Sequence, residues 1–73
     1  MNEEWKDCIF NYMRYKDDAS KEACPCKLLQ KIDNKFWKIR YYILVKDKQT
    51  KEIVDVIVKD TVTTVSSIEN RGQ

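Results

Sequence analysis

Residues 23 to 28 read ACPCKL, two cysteines on either side of the only proline in the chain, and a third thiol stands at Cys8. Thiolates ligate soft metals and carry redox chemistry, so these side chains are the first place to look for reactivity. A structural zinc takes four ligands, in CxxC-like pairs or mixed with histidine, and this chain offers three cysteines and no histidine. Cys8, Cys24 and Cys26 are therefore a metal set one ligand short. The dithiol of redox enzymes has two residues between its cysteines and lies at a helix start; here one residue intervenes. The expectation is that the thiols are small core residues, that Pro25 stops one element before the next begins, and that the protein holds no metal or cofactor.

The remaining inventory is equally sparse. Without histidine the commonest general base at neutral pH is missing, and with it any Ser-His or Cys-His nucleophile. The single glycine, Gly72, cannot build a phosphate-cradling loop. Asp47, Glu52, Asp55 and Asp60 fall in hairpin contexts that define no cleft. These absences point away from an enzyme.

One surface has functional character. Phe36, Lys38, Arg40, Tyr42 and Leu44 occupy alternate positions of one extended run, so cationic and aromatic side chains interleave on one face. Such a face can stack bases while its cations meet phosphates. It can equally dock a protein, since Tyr, Phe, Leu and Arg suit interfaces. A formal charge of +2 and an acidic neighbour at Asp55 favour the protein partner over nucleic acid.

Those residues need a scaffold. Seventy-three residues make one small domain, and a chain of this length buries only roughly 60% of its unfolded surface. Hydrophobic residues at 42% against 36% charged, with two Trp, four Tyr and two Phe, describe a folded chain. The longest apolar run, Tyr41 to Val45, is far below the roughly 20 residues that span a bilayer. The start is acidic, and three thiols suit a reducing compartment, so the expected location is the cytoplasm, away from membranes.

Trp5, Cys8, Ile9, Tyr12 and Met13 recur at helical spacing, which predicts an amphipathic helix over 3–16, capped by Asn2. Residues 17–22 read as a connector. Strands are expected at 27–32, 36–46 and 52–59, with another at 61–68, where Val62, Val65 and Ile68 also allow a short helix; a frayed tail follows over 70–73. Asp33-Asn34 should turn the chain so that Leu28 meets Ile39. Asp47 and Thr50 should hold a second turn in which Lys51 occupies a position easier for glycine, and Val45 should pair with Val54. The expected class is α+β, an N-terminal helix packed on a three- or four-stranded antiparallel meander. The expected function is that of a small non-enzymatic protein that docks on a larger protein and modulates it, in the manner of a phage or mobile-element accessory or inhibitor protein. Single-stranded nucleic-acid binding is the alternative, and a homodimer through an exposed sheet edge is a further option.

Overall fold

The segment Phe10-Asn11-Tyr12-Met13-Arg14-Tyr15 is extended, not helical. The computed structural model describes residues 3–17 and 19–71, so the proposed Asn2 cap, Asp18 and the tail residues Gly72 and Gln73 lie outside the described residues. Five strands, β1 (Phe10–Tyr15), β2 (Lys21–Lys31), β3 (Phe36–Lys46), β4 (Ile53–Thr64) and β5 (Ile68–Asn70), form one antiparallel sheet in the order β4-β3-β2-β1-β5. Two 3-10 turns, Glu4–Asp7 and Val65–Ser67, are the only other regular elements among the described residues.

The predicted helix over 3–16 is thus overturned, and the α+β class with it. Its helical spacing is real, yet Phe10, Tyr12 and Tyr15 are strand-favouring aromatics. As an inner strand the segment pairs on both sides, with β2 from Phe10↔Cys26 to Tyr15↔Lys21 and with β5 from Phe10↔Asn70 to Tyr12↔Ile68. Ile9, placed inside by the helical stripe, is 62% exposed. Residues 70 and 71 are held instead of frayed, since Asn70 pairs with Phe10 and the Arg71 amide donates to the Ile9 carbonyl at 2.7 Å.

The short polar side chains make the turns. Asp17 Oδ1 accepts from the amides of Ala19 and Ser20, both at 2.9 Å. Asp33 Oδ1 does the same for Lys35 and Phe36, at 2.7 and 2.9 Å, and Leu28 duly pairs with Ile39. Asp47 Oδ1 holds Gln49 and Thr50 at 2.7 and 3.1 Å, Thr50 Oγ1 accepts from the Glu52 amide at 3.3 Å, and Lys51 takes φ of 65°.

Register on β4 differs from expectation by one residue. Val45 faces Asp55, Ile43 faces Ile57 and Tyr41 faces Lys59, with an irregularity where Lys46 meets Ile53. That slip exchanges the two faces of β4. The strand is also one continuous element through Thr64, where separate strands over 52–59 and 61–68 were expected.

The sheet is curled. From Thr64 to Ile68 the chain makes four steps, at most about 14 Å, yet four strand spacings of a flat sheet are about 19 Å. On the concave side the rings of Tyr12 and Tyr41 meet at 4.9 Å, although β1 and β3 would stand about 10 Å apart in a flat sheet. Beneath them lie Cys24, Cys26 and Ile39, the most deeply buried side chains described. The N-terminal segment covers part of the convex side, where the Tyr42 hydroxyl donates to Glu4 at 3.4 Å.

Candidate functional site

Cys24 and Cys26 are alternate residues of β2 on the concave face, opposite Tyr12 and Phe10 respectively. Both are small, which lets the flanking tyrosines close over them; they are 2% and 0% exposed. Cys8 follows the first 3-10 turn and is buried as well. Burial pushes all three thiols upward, Cys26 to about 11 with the neighbouring Cys8 and Cys24 adding to the rise. They are protonated at neutral pH, the state in which sulfur neither attacks nor ligates well. Among the described residues no three Cys, Asp or Glu side chains converge as metal ligands.

Pro25 was expected to end an element and instead lies within β2. What it ends is a ladder. The β2–β3 register runs from Lys31↔Trp37 to Cys26↔Tyr41 and stops, one residue short of the proline, which has no N–H to donate. Both strands continue, β2 back to Lys21 and β3 on to Lys46. The β1–β2 and β3–β4 hairpins therefore splay apart, leaving a notch of about 360 Å³ between them. Ala23 and Cys24 form one wall, Tyr42 and Leu44 the other, and Lys16, Lys46 and Lys48 stand around the mouth. Glu22 also lines it, with its carboxylate held by Arg14 at 2.9 and 3.2 Å. None of the three lysines joins an ion pair among the described residues. Sequence reasoning missed this feature because it treated Pro25 as a boundary; the alternating run on both sides of the proline was the available signal.

The five residues proposed along β3 do share one face, the convex one, but they do not act as one surface. Tyr42 is 3% exposed, covered at the Glu4 contact, and burial raises its phenol. Leu44 is half-buried at the notch. Arg40 is engaged by Asp60 on β4, Nε to Oδ1 at 2.9 Å and Nη2 to Oδ2 at 3.2 Å, and that fork holds the Asp60 carboxyl below its ordinary range. Phe36 and Lys38 remain exposed.

Because of the one-residue slip, Val58 and Val62 join this convex face opposite Tyr42 and Lys38. Each is 53% exposed, and Phe36 beside Val62 is 39% exposed. β4 is moreover a sheet edge of 12 residues, paired among the described residues only with β3. The expected register of Val45 with Val54 would have put Val58 against the core, and the β-branched residues on both faces of 52–59 could not correct it.

Compared with family models, with curated proteins and with solved structures, this chain matches none of them, so its site is read from its own geometry alone.

Proposed function

We propose that this protein is a small non-enzymatic cytoplasmic binding protein that docks on a larger protein and modulates it. The observation that carries the reading is the convex margin formed by Phe36, Val58 and Val62, open apolar side chains beside the unpaired edge of β4. An exposed edge of strand-favouring residues is a template for pairing with another chain, and adjacent apolar side chains supply the area that makes such pairing selective. Nucleic acid ranks second. Of the basic and aromatic group proposed for it, Arg40 is engaged by Asp60 and Tyr42 is covered, which leaves Lys38 beside Phe36. A stacking groove wants several free cations along it.

A second copy is the competing occupant of the edge. If two β4 strands paired antiparallel about Ile57, Asp55 of each would face Lys59 of the other, and Val56 would face Val58.

The test compares wild type with Val58→Lys/Val62→Lys, immobilised and challenged with lysate, alongside sedimentation of the free proteins. Protein partners retained by wild type, lost by the variant and indifferent to nuclease support the reading. Retention that nuclease abolishes, or that Lys38→Glu/Arg40→Glu abolishes while the valine variant does not, overturns it in favour of nucleic acid. Concentration-dependent dimerisation lost in the valine variant assigns the margin to self-association.

A further inference from the structure

The notch between the two hairpins is a second site, sharing no residue with the β4 margin, and we infer that it receives an acidic extended segment of a partner protein. Three observations converge on that occupant. First, the ladder between β2 and β3 ends at Cys26↔Tyr41, so the β3-facing side of Lys21–Pro25 and the β2-facing side of Tyr42–Lys46 have no strand partner among the described residues, although both segments are extended. Main-chain groups in that state accept an added strand, the commonest way a sheet binds an extended peptide. Second, the break is built into the sequence, because Pro25 cannot donate the bond that would close the gap. Third, the mouth is cationic. Lys16, Lys46 and Lys48 surround it without ion-pair partners among the described residues, while its one carboxylate, Glu22, is neutralised by Arg14.

These features select more than charge. Ala23 and half-buried Leu44 give the walls an accessible apolar lining, with the nearly fully buried Cys24 and Tyr42 behind them, so a segment whose side chains alternate can place apolar groups inward and carboxylates at the lysines. A phosphate backbone would satisfy the lysines and could accept from the strand amides, but it has no donors for the strand carbonyls. The volume of about 360 Å³ lies within the range of ligand sites and suits a few residues of extended chain.

The test uses a fluorescein-labelled peptide alternating valine and glutamate. Controls are the same sequence with lysine for glutamate, the same peptide N-methylated at alternate amides in each of the two possible phases, and a thymidine oligonucleotide of equal charge. Fluorescence anisotropy measures affinity, and amide NMR shifts on the whole protein locate binding. The acidic peptide should bind, shift the amides around Ala23, Leu44 and Lys46, and weaken by about tenfold or more in a folded Lys46→Glu/Lys48→Glu variant. The lysine peptide should not bind, and N-methylation on the paired phase should abolish binding to wild type without changing any charge. The inference is overturned if the acidic peptide fails to bind, if both N-methylation phases leave its affinity intact, or if the oligonucleotide binds more tightly at the same amides. Binding of the peptide at β4 instead of the notch would support the margin described above and refute this site.

Discussion

The rings of Tyr12 on β1 and Tyr41 on β3 meet at a 4.9 Å centroid distance, tilted by 57°, bridging over a strand whose concave residues there are cysteines. The contact couples curl to composition. A larger side chain at Cys24 or Cys26 would hold the rings apart and flatten the sheet. The thiols should accordingly be silent toward dithionitrobenzoate at neutral pH until the protein unfolds. Reactivity should rise in step with the denaturant transition, and chelator should leave the thermal midpoint unchanged. A rapid thiol in the native state would show that the tyrosine lid opens without global unfolding.

Ile39, with no exposed surface, sits between Leu28 and Thr61 on the same face of the sheet as the two tyrosines. Ile39→Ala should cost roughly 2–5 kcal/mol and Ile39→Val about 0.5–1.5. At about 0.05–0.15 kcal/mol per residue, 73 residues amount to roughly 4–11 kcal/mol of total stability, so the alanine variant should be marginal. Trp37 is only half-buried, so Trp37→Ala should be milder than Ile39→Ala. Chemical denaturation of the three variants checks the order.

Lys51 holds a left-handed conformation in the β3–β4 turn. A side chain there costs about 1–2 kcal/mol, of which glycine returns about 0.5–1 through its freer unfolded chain, so Lys51→Gly should stabilise by up to about 1 kcal/mol. The same turn responds to acid. The amides of Thr50 and Gln49 hold the Asp47 carboxyl below its ordinary value. Its contribution is therefore present above the unfolded carboxylate pKa and lost as pH falls through the lower folded one. Asp17 and Asp60, lowered by the Ala19 amide and the Arg40 fork, act in the same direction. Thermal midpoints should fall below about pH 4, and Asp47→Asn should reduce that slope.

Legibility followed the range of the forces involved. Strand β3 was readable end to end because its alternation is unbroken, and the Asp33 and Asp47 turns were readable because their hydrogen bonds reach only two or three residues. The N-terminus misled because Trp5, Cys8, Ile9, Tyr12 and Met13 satisfy a helical period while Phe10 and Tyr12 satisfy a strand one. Partners on both edges decided between them, and those lie at residues 21–26 and 68–70. β4 carries β-branched residues on both faces, so pattern alone could not set its register. Of the candidate face, alternation correctly put Phe36 to Leu44 on one side. It could not show that Asp60, twenty residues from Arg40, would neutralise it, or that Glu4 would cover Tyr42.

Tyr42 accordingly belongs to the fold more than to a docking face. Tyr42→Ala should lower stability by roughly 3 kcal/mol or more through the lost ring, whereas Tyr42→Phe, which forfeits only the long contact to Glu4, should cost about 1 kcal/mol or less. Partner binding by the phenylalanine variant should match wild type. A strong binding defect in folded Tyr42→Phe would return the hydroxyl to the interface.

The two ends of the described chain are tied by Arg71. Its Nη1 donates to the Trp5 carbonyl at 3.2 Å and the Cys8 carbonyl at 3.3 Å, while its amide bonds Ile9 at 2.7 Å. One planar guanidinium thus satisfies two carbonyls at the end of the first 3-10 turn and fixes the segment that carries Glu4 to Tyr42. Charge-assisted bonds of this kind contribute about 1.5–3 kcal/mol. Arg71→Ala should lose that much and loosen the N-terminal segment. Arg71→Lys keeps the charge on a shorter side chain without the planar head group, so it should recover only part of the loss. Hydrogen exchange gives the sharper reading: in both variants the amides of Lys6 and Cys8, bonded to Glu3 and Trp5, should exchange faster while those of β3 keep their protection. Equal acceleration across β3 would mean that Arg71 supports the whole sheet and not the clasp alone.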